Sequence, residues 1–186
     1  MRVFMAFCGG DGSAAARRLL SRAVLLEYGL RGLRIEKTAL GKPFFPDRPD
    51  IHFSISHTDG AVLCAVSSAP VGCDVQIRRA VRDGLPERVC APEELVWFDF
   101  FELWSLKESW IKLCGRLDRS LREVSFSASN GVITAPPATL YESESDSGTG
   151  PFPVSARVYG GFDGYAVAVC SAGDTPAYGV EVIRSL

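Results

Sequence analysis

Lysine is scarce in this chain. Only Lys37, Lys42, Lys107 and Lys112 are present among 20 basic residues, which leaves sixteen arginines. A basic excess is absent as well. The formal net charge of −2 excludes wholesale nucleic-acid binding, although local basic patches remain open. Long apolar runs are missing, so no stretch approaches a membrane span, and "MRVFMAFCGG" is too short and lacks the cleavage site of a signal peptide. The six cysteines form no CxxC pair and no zinc spacing. Most lie inside apolar runs, where a free thiol behaves as a small hydrophobe. These absences predict a reduced, cytoplasmic protein. With 186 residues, 47% hydrophobic and 23% charged, the chain suits one domain or two small halves around a real core.

The hydrophobic pattern reads as α+β. "MRVFMAFC" is a buried strand ended by "GGDGS", with Asp11 or Ser13 to cap a helix over roughly 14–28 and Gly29 to close it. "IHFSIS" alternates, with Ile51, Phe53 and Ile55 on one face and His52, Ser54 and Ser56 on the other. "AVLCAVS" returns as the second strand of a hairpin, and "VGCDVQI" is a further strand. Residues 92–114 are mainly helical, broken near Asp99; "EVSFSA" and "GVITA" form a hairpin, and "VSARVYG" and "GYAVAVCSA" are closing strands. The polar stretch 134–153 reads as an inserted surface loop.

One helical stretch, "LWSLKESWIKLC" at 103–114, carries an anomaly. At 100° per residue Leu103, Leu106, Trp110, Leu113 and Cys114 make an apolar arc, and Lys107 projects into it while Glu108 and Lys112 take the opposite face. Snorkelling along apolar surface is the plain reading of Lys107. Strand alternation puts Asp74 beside Gln76, and Glu108 can come opposite. Two carboxylates and an amide oxygen are a plausible Mg²⁺ set, although a strand-end carboxylate and a Glu108–Lys112 pair explain the spacing equally simply. Lys107 and Lys112 would suit phosphate oxygens. Lys42 in "GKPFFP", and Ser56 and His57 at a strand end, occupy typical binding positions. Arg17, Arg18 and Arg22 on the first helix are a further candidate phosphate contact. Two arginine-rich loops, Arg78 to Arg88 and Arg116 to Arg122, would make a rim for an acidic protein or a merely solvated surface.

In this order, "GKPFF", "FSISHTDG", "VGCDVQ" and "WSLKESWIKLCG" resemble the 4′-phosphopantetheinyl transferases of the monomeric, surfactin-activator-like type. The resemblance implies two similar α+β halves in pseudo-twofold arrangement, divided as 1–70 and 71–186, the second carrying the metal site. It implies transfer of the phosphopantetheine arm of coenzyme A to a serine of an apo acyl or peptidyl carrier protein, with Mg²⁺ required and 3′,5′-ADP released. By motif, Asp74, Gln76 and Glu108 would ligate the metal, and Lys42, Ser56, His57, Lys107 and Lys112 would contact coenzyme A. Lys112 would also steady the pyrophosphate. Glu108 would deprotonate the carrier serine, directly or through a water on the metal. Lys107 matches the signature lysine, so its arc is expected to face the cleft between halves. The implied carrier is acidic and the enzyme a monomer.

Three features depart from the family pattern. Gln76 stands where many members have glutamate, which removes one negative charge from the metal set. The N-terminal strand passes almost directly into the arginine helix, which leaves Arg17, Arg18 or Arg22 to meet the coenzyme A 3′-phosphate. The third is the 134–153 insertion. They keep two alternatives open: a non-catalytic relative that binds coenzyme A or a carrier, and a Mg²⁺-dependent pyrophosphohydrolase.

Overall fold

A computed structural model describes residues 1–143 and 147–186 of the chain. Strand β1 (Arg2–Phe7) leads into helix α1 (Gly12–Tyr28), and the short strands β2 (Glu36–Lys37) and β3 (Pro43–Phe44) pair with each other. The hairpin β4 (His52–Thr58) and β5 (Ala61–Ser67) follows, and then β6 (Val71–Ile77). After the small helix α2 (Leu85–Val89) and a 3₁₀ turn at Glu94–Val96 comes helix α3 (Phe100–Cys114). A second 3₁₀ turn at Leu121–Glu123 follows, and then the strands β7 (Ser127–Ser129), β8 (Val132–Thr134), β9 (Ala138–Leu140), β10 (Thr149–Phe152), β11 (Val154–Tyr159), β12 (Tyr165–Ala172) and β13 (Glu181–Val182).

Two sheets and two long helices stack in four layers, an α+β architecture. The first sheet has the order β13–β1–β5–β4 and the second β6–β12–β11–β8–β7. Strand alternation divides the apolar residues between layers. Phe4, Ala6, Val62, Cys64 and Val66 pack beneath Ala15, Leu19, Leu20 and Ala23 of α1. The opposite faces, Val3, Met5, Leu63 and Ala65, meet Val71, Cys73, Val75, Val167 and Val169 of the second sheet. Ala168, Cys170 and Ala172 then turn toward α3. Because β5 is covered on both faces, it reads as the unbroken apolar run "AVLCAVS", and every residue in it is buried.

Local signals fix the ends of both helices. The Asp11 carboxylate accepts from the amides of Ser13 and Ala14, and Gly29 closes α1 in the left-handed region at φ 69°. A capping box of Asp99 and Glu102 starts α3. The break expected near Asp99 is present, with a single 3₁₀ turn at Glu94–Val96 before it and α3 from Phe100 after it. Residues 92–98 fold back because the Glu94 carboxylate captures the amides of Ala91 and Phe126.

Side chains, not a strand ladder, join the two sheets. The unpaired edge of β6 lies along β4, whose alternate hydroxyls stand in for a neighbouring strand. Ser54 Oγ accepts the Cys73 amide at 3.0 Å and Thr58 Oγ1 accepts the Ile77 amide at 3.3 Å. The alternation of "FSISHT" is therefore apolar toward α1 and hydroxyl toward this seam.

Two segments depart from the sequence reading. Residues 138–152, read as a surface loop or a frayed hairpin tip, carry the antiparallel pair β9–β10, and Ala138 is fully buried against α3; residues 144–146 of that stretch lie outside the described residues. The chain beyond β12 also returns to the first half. There β13 pairs in parallel with β1, Phe4 opposite Glu181. Among the described residues no helix is long and apolar enough to cross a membrane.

Candidate functional site

Helix α3 lies unusually close to β6, and Gly72 allows it. A Cβ at that position would stand 1.9 Å from the Ser109 carbonyl oxygen and 2.5 Å from the Leu113 amide nitrogen, far inside van der Waals contact. Ser105 and Ser109, small and fully buried, meet β12 beside it, at the Ala166 carbonyl and the Cys170 thiol. The close approach sets Glu108 and Lys112 of the helix against Asp74 of the strand.

Three polar groups converge there. Lys112 Nζ donates to Asp74 Oδ1 at 2.7 Å and to Ser56 Oγ at 2.9 Å, and Ser56 Oγ lies 2.7 Å from the same Oδ1. Asp74 is 5% exposed, yet its second oxygen, Oδ2, is buried with no hydrogen-bond partner. An unpartnered buried carboxylate oxygen is costly and points to a missing cation or water. Glu108 is the neighbouring acid. Burial first, and then the charge of Asp74, push its carboxyl above the usual range, while Lys112 pulls it down. Among the described residues no group of three His, Cys, Asp or Glu side chains could hold a metal. A cation here would rely on Asp74 and Glu108, with Gln76 two residues along the strand as a neutral third donor. An orphaned carboxylate oxygen beside a second acid fits the hard, oxygen-seeking Mg²⁺.

A cleft of about 400 Å³ opens beside this cluster between α1, β4, the 37–43 loop and the end of α3. It is lined by Arg17, Lys37, Lys42, His57 and Lys112, so cations from four elements border one space. Lys42 closes one wall, where its ammonium donates to the Leu113 carbonyl in the last turn of α3 at 2.7 Å. Burial lowers this ammonium to about 8. A second cavity of about 250 Å³ lies across the same loop, where Lys42 meets Phe44, Phe45, His52 and Tyr141.

Several expected site residues are placed elsewhere. Lys107 does not face the cleft. Its ammonium is 1% exposed and bonds Glu94 at 2.8 Å and the carbonyls of Leu121 and Val124 at 3.0 and 2.7 Å. With all three donors used, it cannot contact coenzyme A. Arg18 also misses the cleft. It lies 100° around α1 from Arg17 and borders a shallow concavity with Arg22 and Arg31. Ser56 is buried on Asp74 and is absent from the cleft lining. Gln76 borders an open hollow with Arg79, Arg82, Phe101 and Trp104. The arginine loops are only partly free: Arg78 pairs with Asp99, Arg119 with Asp118, and Arg116 stacks over the Tyr141 ring at 3.7 Å. Sequence reasoning missed Glu94 altogether. The one signal for it was a lysine aimed at an apolar arc, which requires a buried acid somewhere in the chain.

Comparison with known proteins shows the family of the chain. The model of the 4′-phosphopantetheinyl transferase superfamily matches residues 70–170. A 4′-phosphopantetheinyl transferase of Bacillus subtilis is 30% identical over 179 residues, which cover 88% of this chain and 75% of the relative. The 4′-phosphopantetheinyl transferase Sfp of Bacillus subtilis (strain 168) is 32% identical over 174 residues, 87% of this chain and 72% of that protein. The 4′-phosphopantetheinyl transferase gsp of Aneurinibacillus migulanus is 35% identical over 119 residues, 55% of this chain and 49% of its own.

Proposed function

The chain belongs to the 4′-phosphopantetheinyl transferase superfamily, and from that premise we propose that it moves the phosphopantetheine arm of coenzyme A onto a serine of an apo acyl or peptidyl carrier protein. The observation that carries the reading is the unpartnered Asp74 Oδ2 beside Glu108, joined through Lys112 to a cleft bordered by basic side chains. Phosphoryl transfer asks mainly for positioning and charge neutralisation, and this arrangement supplies both.

In the reaction the carrier serine oxygen attacks the pyrophosphate phosphorus next to the pantetheine arm. The P–O bond to the nucleotide half breaks, and 3′,5′-ADP leaves with the bond's electrons. Mg²⁺, bound by Asp74 and Glu108 with Gln76 as a neutral donor, would neutralise charge that builds on the pyrophosphate. Glu108 takes the proton of the attacking serine. Lys112 spends two donors on Asp74 and Ser56, so its third is left for a pyrophosphate oxygen. Arg17, Lys42 and His57 hold the remaining phosphates from the cleft walls. The division into halves follows the sheets near residue 70, except that β13 belongs with the first half. A rim of Arg79 and Arg82 beside Gln76 would receive an acidic carrier. We propose a cytoplasmic monomer.

Intact-mass measurement on an apo carrier protein, incubated with this protein, coenzyme A and Mg²⁺, tests the reading. The expected result is a gain of one phosphopantetheine that disappears with EDTA and with Glu108→Ala. Coenzyme A binding without any mass gain would establish a non-catalytic binder instead, and carrier-independent cleavage of coenzyme A would establish a pyrophosphohydrolase.

A further inference from the structure

We propose that Ser56 is a positioning residue for Asp74, and that the cation site is thereby assembled across the seam between the two sheets. The inference rests on Asp74 being a metal ligand, as proposed above. Ser56 is 5% exposed and sits on β4 of the first sheet, while Asp74 sits on β6 of the second.

Proton inventory fixes the direction of each bond. A lysine ammonium only donates and a carboxylate only accepts, whereas a hydroxyl has one proton and two lone pairs. Lys112 therefore donates to both Ser56 Oγ and Asp74 Oδ1. The single proton of Ser56 then goes to Asp74 Oδ1. Oδ1 receives two hydrogen bonds and Oδ2 none. The carboxylate is held in one rotation about its Cβ–Cγ bond, with the bare oxygen as its single free ligand.

Ser56 has no freedom to turn toward the cleft. Its strand is fixed at both sides along β6, by Ser54 Oγ on the Cys73 amide and Thr58 Oγ1 on the Ile77 amide. The hydroxyl between them meets the strand's acid. A contact from Ser56 to a coenzyme A phosphate would take its proton away from Asp74 and free the carboxylate to rotate. Supporting the metal ligand and contacting coenzyme A are thus competing uses of one proton, and the geometry assigns it to the ligand.

The two roles separate in binding measurements that need no turnover. Mn²⁺ affinity is read by electron paramagnetic resonance with coenzyme A present, and coenzyme A affinity by calorimetry in EDTA. Ser56→Ala is expected to weaken Mn²⁺ about tenfold, the usual size for loss of a ligand's hydrogen-bonded support. Coenzyme A affinity in EDTA should stay within about twofold, because no phosphate contact is removed. Ser56→Thr, which keeps the hydroxyl, should restore Mn²⁺ binding. Should Ser56→Ala fail to fold, Ser56→Cys carries the same expectation through its weaker donor. Wild-type Mn²⁺ affinity in Ser56→Ala, or a fall in coenzyme A affinity with Mn²⁺ binding intact, would overturn the proposal. Absence of Mn²⁺ binding by the wild-type protein would instead remove the metal reading beneath it.

Discussion

Lys107 and Glu94 meet at 2.8 Å in the interior of the second half, each with 1% of its side chain exposed. Between them they gather the amides of Ala91 and Phe126 and the carbonyls of Leu121 and Val124. Four backbone groups, one at Ala91 and three in the 121–126 stretch, are tied to α3 through one ion pair. Lys107→Met leaves the Glu94 carboxylate buried without its cation, which costs roughly 3–5 kcal/mol. Urea unfolding should show that loss, while the folded fraction keeps wild-type affinity for coenzyme A. A weakened affinity with unchanged stability would return Lys107 to the cleft.

Gly72 sets the distance between α3 and β6. An alanine there must move backbone, since its Cβ would overlap the Ser109 carbonyl at 1.9 Å. Gly72→Ala is expected to cost at least about 2 kcal/mol, toward the upper part of the range for overpacking. It should also separate Lys112 from Asp74, so a crystal structure or melting curve at wild-type values would contradict the packing argument.

Lys42 gives stability a definite pH dependence. Its folded ammonium titrates near 8 and the unfolded one near 10.5 because burial disfavours the charge. Between those values the unfolded state holds the extra proton, so stability relative to a Lys42→Met control rises with pH. Below 8 both states are protonated and the difference is flat. Denaturant titrations at pH 7.5 and 10 should differ in that gap by about 2 kcal/mol, allowing for the partly exposed stem. An equal gap at both pH values would mean the ammonium is not desolvated.

Arg17 and Arg18 are adjacent in sequence but serve different spaces. Arg17→Ala should raise the Kd for coenzyme A about fivefold, the worth of roughly 1 kcal/mol for a solvent-screened charge contact. Arg18→Ala should leave it unchanged. Calorimetry on the two variants distinguishes a cleft contact from general positive charge on α1, which would weaken both equally.

Gln76 offers the metal an oxygen without a charge. Gln76→Glu should tighten Mg²⁺ by about tenfold, equivalent to about 1.4 kcal/mol from the added negative charge. A Mg²⁺ titration that superimposes on wild type would place Gln76 with the carrier-facing rim instead.

Much of this was legible in the sequence because local physics decided it. Asp11 and Gly29 mark the ends of α1, Asp99 marks the start of α3, and alternation separates Phe53 from Ser54 and Ser56. Of the motif residues, Lys42, His57 and Lys112 line one cleft, and Lys112 reaches from it to Asp74. What stayed hidden depends on contacts between distant segments. Lys107 looked like a cleft residue because its acid, Glu94, comes from an irregular turn with no periodicity. Ser56 looked like a phosphate contact because strand alternation gives its face but not what the face meets. The β9–β10 pair was concealed by glycine, proline and serine, which read as loop unless tertiary packing settles them.

The pairing of β13 with β1 bears on how the protein is made. Arg2 holds Glu181 through two nitrogens at 2.8 and 2.7 Å, and the Ile183 amide donates to the Met5 carbonyl. Among the strands of the described residues β1 is the first in chain order and its parallel neighbour the last. Throughout that interval one edge of the first sheet is an open template for any extended chain nearby. The first half therefore has its hairpin and helix but an uncovered strand until Glu181–Ile183 have been added and have reached β1.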